Sequence, residues 1–340
     1  MNSLSAFTIG VDLGGTNMRI AAVNHTGQIL RLDVLATEVQ RGRERVISEM
    51  AATIRDQAQQ FSRGQTLLGI GVGIPGIIDL AAGTLRSAAN LPGWNDYPVK
   101  GDLERRLGVP VVLENDANCA ALGEQWIGAG RGVQDLCMVT LGTGVGGGFV
   151  VNGRPWHGMT GMAGEIGHMT VIPEGLPCLC GNRGCLEQYA SGTAITRMAR
   201  ESIAQGRAPA LAAAAAAMNS HFGARTVFES VQQGDPVAAE IFATAGTALG
   251  IALANLINAL NLPLYVVGGG VAKAWTALRP AVLAELSKRS IVFRASEPLK
   301  SRNRTTLIAS TELEENAGLL GAARLPMLSA DPGAYCSLAG

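Results

Sequence analysis

His168, Cys178, Cys180 and Cys185 offer one nitrogen and three sulfurs, the ligand set of a closed tetrahedral zinc site. Cys178-Leu-Cys180 leaves one residue between ligands, tighter than the usual Cys-x2–4-Cys finger, and Gly181 and Gly184 let the chain turn back at Cys185. That spacing favours zinc over a redox dithiol. A filled site does no Lewis-acid chemistry, but it fixes the His168 ring and leaves its second nitrogen for a partner. Glu165 and Glu187 bracket the cluster, so the expectation is a metal knot that holds two carboxylates and a histidine against a polar substrate.

Two glycine-rich turns suit phosphate. Phe7–Leu13 is an apolar run that ends in Asp12-Leu13-Gly14-Gly15-Thr16-Asn17, and Met18–Val23 resumes as a strand. Glycines let backbone N–H groups approach a phosphate, and Thr16 adds a hydroxyl donor. Asp12 could hold waters around a phosphate-bound Mg²⁺. The bland alternative is a hairpin turn. The pattern recurs as strand 135–141, the turn Gly142-Thr143-Gly144-Val145-Gly146-Gly147-Gly148, and strand 147–151. Gly268-Gly269-Gly270 closes strand 264–267, where a base or ribose could approach the backbone. Neither a Walker Gly-Lys-Ser/Thr nor a Rossmann glycine pattern is present. Together these turns predict a nucleotide cleft between two domains of related plan.

Strand 109–113 delivers Glu114-Asn115-Asp116 to its C-terminal end. An Asp there could take the proton from an alcohol in phosphoryl transfer. It could equally cap the next helix; Asn115 could do that and leave Asp116 free, or the reverse, and the sequence leaves both open. His25, His157 and His221 have no such neighbours and read as surface or core residues.

The elements that must position these groups are legible in outline. Residues 43–61 and 97–107 read as helices and 28–34 and 67–74 as strands. Asp235-Pro236 reads as an N-cap and first turn of a helix that ends before Pro263. The run Ala212–Ala217 reads as a plain helix or surface insertion. Strand 305–310 and helix 313–325 follow, and the tail after Pro326 reads as flexible. The 340 residues imply two domains, and the 47% hydrophobic content excludes a disordered chain. Lys+Arg and Asp+Glu balance at 27 each, which argues against nucleic-acid or membrane-surface partners. No signal peptide or membrane span is read, and six cysteines, three of them inside eight residues, suit a metal site in a reducing compartment. The expected location is the cytoplasm. Cys119 and Cys137 read as buried and Cys336 as incidental.

These motifs together resemble the ROK family of sugar kinases, within the hexokinase–actin–Hsp70 superfamily, from Asp12 to about Gly321. Asp12-Leu-Gly-Gly-Thr resembles the first phosphate motif, Leu141-Gly-Thr-Gly-Val-Gly-Gly-Gly the second, and Gly268-Gly-Gly part of the adenosine motif. Cys178-x-Cys180-Gly-x-x-Gly-Cys185-x-Glu187 matches the zinc signature. Asn90-Leu-Pro-Gly-Trp94, Leu113–Asn118 and Gly161–His168 look most like bacterial glucokinases. The resemblance implies an α/β, actin-like (ribonuclease H-like) two-domain fold with a zinc-binding insertion. Residues 1–116 with 311–326 would form the small domain and 117–310 the large one, carrying the dimer surface, with 327–340 as tail. It implies ATP-dependent phosphorylation of D-glucose at the 6-hydroxyl with Asp116 as base. Asn90, Asn115, Glu165, His168 and Glu187 would hold the other hydroxyls. Asp12, Gly14, Gly15, Thr16, Asn17, Thr143, Gly144 and Gly268–Gly270 would bind ATP with Mg²⁺, in a homodimer with structural Zn²⁺. Fructose, mannose or an N-acetylhexosamine as substrate, and polyphosphate as donor, remain alternatives. A sugar-responsive repressor of the same family is disfavoured, because Phe7 already starts the first strand and leaves no room for a helix-turn-helix. A zinc-stabilised module without activity is opposed by the paired turns and Asp116.

Overall fold

The structure is a computed structural model that describes residues 6–218, 221–296 and 305–329. In chain order the strands and helices are β1 (Ala6–Leu13), β2 (Asn17–Asn24), β3 (Ile29–Ala36), α1 (Arg43–Phe61), β4 (Thr66–Ile74), β5 (Ile77–Asp79), β6 (Thr84–Ser87), α2 (Val99–Leu107), β7 (Val111–Asn115) and α3 (Asp116–Ile127). Then come β8 (Leu136–Leu141), β9 (Val145–Val151), β10 (Arg154–Pro155), α4 (Glu187–Ala190), α5 (Gly192–Ala204), α6 (Pro209–Met218), α7 (Ala224–Gln232) and α8 (Pro236–Leu260). The last are β11 (Leu264–Gly268), α9 (Trp275–Arg289), α10 (Ile291–Ser296), β12 (Leu307–Ser310) and α11 (Ala317–Ser329).

Two five-stranded sheets share one plan. The first runs β3-β2-β1-β4-β7 and the second β10-β9-β8-β11-β12. In the first, β1 pairs antiparallel with β2 and parallel with β4, and β4 pairs parallel with β7. In the second, β8, β11 and β12 are parallel. Parallel strands bring their carboxyl ends to one side of a sheet, where α/β proteins build sites. Here Asp12 is in register with Gly73, and Gly73 with Glu114. The same rule aligns Thr140 with Gly268 in the second sheet.

The first compact unit contains the described residues up to Gln134, Gly148–Gly164 and those from Glu315 onward; the second contains Asp135–Gly147 and Glu165–Glu314. This differs from the cut at 116/117. Helix α3 stays with the first unit because it packs against α11, and the approach is too close for side chains: a Cβ on Gly321 would lie 1.6 Å from the Cys119 carbonyl oxygen. The core of this unit joins Phe7, Ile9, Val11 and Leu13 of β1 with Ile70, Val72 and Ile74 of β4 and the apolar stripe Val46, Ile47, Met50 and Ile54 of α1. Cys119 and Cys137 are buried.

Helix α8 starts as its sequence dictates, with the Asp235 side chain accepting from the Val237 and Ala238 backbone N–H groups and proline in the first turn. It is the one described helix long and apolar enough to cross a membrane, but it is largely buried as a core helix. The alanine run forms the plain helix α6.

Several readings are corrected. Strand β9 begins at Val145, so Gly146, Gly147 and Gly148 belong to a strand and the second turn shrinks to Gly142-Thr143-Gly144. The last helix runs to Ser329 rather than ending at Leu325, which moves 327–329 out of the expected tail. Residues 330–340, with Cys336, lie outside the described residues, as does the start at Met1–Ser5.

Candidate functional site

In the first unit the site is built on strand ends. The β1–β2 turn is closed by Gly14 N–H donating to Asn17 O at 2.9 Å, and Thr37 Oγ1 donates to Gly14 O at 2.7 Å. Thr16 and Asn17 are exposed. The loop carrying Asn90 leans on this turn, since a Cβ on Gly15 would lie 3.1 Å from Asn90 Cβ. The Asp12 carboxyl is pushed up to about 6, first by burial and next by the negative charge of Asp116, against the opposing pull of Arg19. Arg19 is fixed in turn by the Glu315 carbonyl and by Asn316 Oδ1 at 2.8 Å.

The capping question is decided by geometry. Asn115 is the N-cap of α3, its Oδ1 accepting from Ala117 N–H at 2.9 Å and Asn118 N–H at 3.3 Å, and its Nδ2 donates to Gly76 O at 3.4 Å. Asp116 is the first helical residue, and its Oδ1 also accepts from Ala117 N–H, at 2.8 Å. A carboxylate at a helix N-terminus is stabilised in its charged form.

Beside it lies a pair absent from the sequence reading. His157 Nε2 is 2.6 Å from Glu114 Oε2, and the Glu114 side chain is 4% exposed. Burial works against protonation of His157, but the hydrogen bond and charge of Glu114 outweigh it and hold the imidazole above its ordinary 6.5. The sequence places His157 among the surface or core histidines, and nothing local announces a partner 43 positions away.

In the second unit the Gly142–Gly144 turn is closed on itself by Gly142 N–H to Gly144 O at 2.9 Å and held by the start of α5. Gly192 N–H donates to Gly142 O at 2.8 Å and Thr193 Oγ1 to Thr143 O at 2.8 Å. Glu187 Oε2 accepts from Val145 N–H at 2.9 Å, and a Cβ on Gly144 would lie 2.3 Å from that oxygen. Any side chain at 144 would push the Glu187 carboxylate off the Val145 N–H.

This turn borders a cavity of about 1340 Å³ that is also lined by Thr196, Arg197, Arg200 and Glu201 of α5, by Ala224, Arg225, Phe228 and Glu229 of α7, and by Gly270, Val271, Lys273 and Ala274. Only Gly270 of the three-glycine run borders it. Gly268 and Gly269 are filled by neighbours, Met138 and the Leu141 carbonyl. Arg197 pairs with Glu201 and Arg225 with Glu229. Among the described residues the side chains of Arg200 and Lys273 make no ion pair or hydrogen bond. The α5 and α7 residues escape a sequence reading because amphipathic helices carry no motif.

The cysteine cluster is compact. Ligand atoms of His168, Cys178, Cys180 and Cys185 all lie within 4.8 Å of one another. Cys180 Sγ and Cys185 Sγ are 3.7 Å apart, and Cys178 Sγ is 3.7 Å from His168 Nδ1. Tetrahedral bonds of about 2.3 Å to sulfur and about 2.0 Å to nitrogen require edges of roughly 3.5–3.8 Å, so the donor set fits a zinc ion. Nδ1 faces the thiols, while Nε2 lies 3.8 Å from Glu165 Oε2, which is exposed. Cys178 N–H donates to Asn182 O and Gly181 N–H to Cys178 O, so the knuckle is folded by its own backbone.

The sequence profile of the ROK family matches residues 8–327. A glucokinase of Halalkalibacterium halodurans is 43% identical over 277 residues, 80% of this chain and 83% of that protein. A glucokinase of Thermotoga maritima is 38% identical over 317 residues, 93% of this chain and 96% of that one. The crystal structure of a ROK family glucokinase from Streptomyces griseus in complex with glucose and AMPPNP has a TM-score of 0.75 at 34% identity, covering 94% of this chain and 99% of that one. The fold is the actin-like α/β fold of ROK sugar kinases.

Proposed function

The chain belongs to the ROK family, and from that premise we propose that it is an ATP:hexose 6-phosphotransferase that converts D-glucose to glucose 6-phosphate. The observation that carries this reading is Asp116, set at the end of β7 by the Asn115 cap and close enough to Asp12 to raise its pKa. Asp116 accepts the proton of the sugar 6-hydroxyl as the oxygen attacks the γ-phosphorus and the bond to ADP breaks. Its bond to the α3 N-terminus orients it for that task. The likeness to a kinase crystallised with glucose and AMPPNP supports the substrate pair.

Asn90, Asn115, Glu165, His168 and Glu187 are assigned to the remaining hydroxyls, which carboxylates and amides bind in fixed geometry. ATP is assigned to the second unit's cavity, its base against Val271, Ala274 and Phe228 and its phosphates toward the Gly142–Gly144 turn, with Arg200 and Lys273 as uncommitted cations. Asp12, Gly14, Gly15, Thr16 and Asn17 are assigned to the phosphate and metal side. Gly268 and Gly269 shape the strand end, and Gly270 borders the ligand. Mg²⁺, when bound, neutralises charge on the phosphates; the burial and like-charge strain on Asp12 suit a nearby divalent cation. Zinc at the cysteine cluster would be structural. It would hold the His168 ring through Nδ1 and leave Nε2 for the sugar and Glu165. A cytoplasmic homodimer completes the reading.

The test is a coupled ADP-release assay over glucose, fructose, mannose and N-acetylhexosamines with ATP and with polyphosphate. Highest kcat/KM for glucose with ATP supports the reading. Preference for another hexose or for polyphosphate reassigns the substrate, and no turnover with any hexose removes the kinase.

A further inference from the structure

Glu114 precedes the cap and the base of the proposed reaction, is buried at 3% exposure, and uses both carboxylate oxygens. Its Oε1 accepts from Asn115 N–H at 2.8 Å and from Asn118 Nδ2 at 3.0 Å. Its Oε2 meets His157 Nε2 at 2.6 Å. Asn118 is itself buried, and its Oδ1 has no partner among the described residues, so Glu114 is what fixes that amide. Asn118 N–H and Ala117 N–H are the donors that the Asn115 cap uses, and Ala117 N–H also donates to Asp116 Oδ1. One carboxylate therefore ties together the backbone of residue 115, the side chain of residue 118 and, from outside the helix, the imidazole of residue 157.

We propose that His157 is a positioning residue for phosphoryl transfer: by holding Glu114 from the loop after β10, it sets the Asn115–Asn118 turn and so the direction of the Asp116 carboxylate. The role rests on the kinase reading above. Position is what the arrangement can supply, because Glu114 and the cap link His157 to the turn that carries Asp116. Charge points the same way. Glu114, Asp12 of β1 and Asp116 of α3 all act on the buried Cys119 thiol and, after burial, raise its pKa. Arg19 of β2 opposes the charge of Asp12, and His157, when protonated, is the cation on Glu114. Without His157, a buried carboxylate next to the base would lose its counter-charge and one of its anchors.

The experiment compares His157→Gln, whose amide reaches the Nε2 position, with His157→Asn, which is too short, and with His157→Ala. Activity is read as kcat, sugar KM and ATP KM. A displaced base costs on the order of 10–100-fold in kcat. The expected result is such a loss in the Asn and Ala variants with ATP KM unchanged, and recovery of most of it in the Gln variant. Equal kcat for Gln and Asn variants would overturn the role even if the Ala variant did not fold. So would losses that merely follow the folded fraction in a thermal melt.

A second arm needs no turnover. In NMR titration of the four histidines, the signal missing from His157→Gln should titrate above 6.5 in wild type and shift down in Glu114→Gln. An unchanged midpoint would break the pair. A wild-type protein that phosphorylates no hexose would overturn the kinase reading together with this role. An active wild type with equal Gln and Asn variants would overturn this role alone.

Discussion

The carboxyl end of the first sheet is rich in acids: Asp12 near the end of β1, Glu114 near the end of β7, and Asp116 just after β7 as the first residue of α3. At the same end of the second sheet the matching strands finish in Gly142-Thr143-Gly144 after β8 and Gly269-Gly270 after β11, and the nearby uncommitted charges are Arg200 and Lys273. The strand order is the same. A parallel-sheet plan thus fixes where a site can form, and the residues at the strand ends decide its charge. Under the proposed function, the first half takes the proton and holds the cation, and the second holds the anion through backbone and cationic groups.

The largest break in that contrast would come from Asp116→Asn, which keeps shape and removes the proposed base. Turnover should fall by about 10²–10⁴-fold with an unchanged far-UV spectrum. Near-normal turnover would remove Asp116 from the mechanism. Cys180→Ser should lose bound zinc by metal analysis and weaken sugar binding by about 10–100-fold, because the His168 ring is no longer held. Sugar affinity that survives metal loss would reduce the knot to a fold brace.

Asp12 offers a test on stability. Its folded pKa, raised from 3.8 to about 6, means that the native state keeps a proton the unfolded chain releases between about pH 4 and 6. Stability from this group therefore declines as pH rises through that window. Asp12→Asn should gain on the order of 2–3 kcal/mol over wild type at pH 8 without metal, and little at pH 4, in urea unfolding. An equal difference at both pH values would contradict the burial account.

The smallest expected effect is on the cationic side. Arg200→Ala or Lys273→Ala should raise ATP KM by about 3–10-fold, roughly 1 kcal/mol, and leave sugar KM unchanged. A shift in sugar KM instead would erase the division between the two halves.

Much of this is legible in the residues. The candidate metal ligands sit at short sequence separation, so spacing alone exposes them, and the structure returns the same four as one compact cluster. The β1–β2 turn and the α8 cap are equally local, since Asp-Pro and strand–glycine–strand patterns act over a few residues. The second turn is overstated by the sequence because glycines in a strand and glycines in a loop look alike in one dimension; Gly146–Gly148 continue β9. The three-glycine run is overstated for the same reason, two of its members serving packing.

By itself the sequence determined the chemistry available: an Asp at a strand end, a donor set of one histidine and three cysteines, and glycine turns suited to phosphate. Only the tertiary structure decided which Asx residue caps α3, which imidazole nitrogen faces the thiols, and that His157 belongs to Glu114. Those outcomes depend on contacts between segments far apart in the chain, whose energies are set by register, burial and hydrogen-bond angle rather than by neighbouring residues.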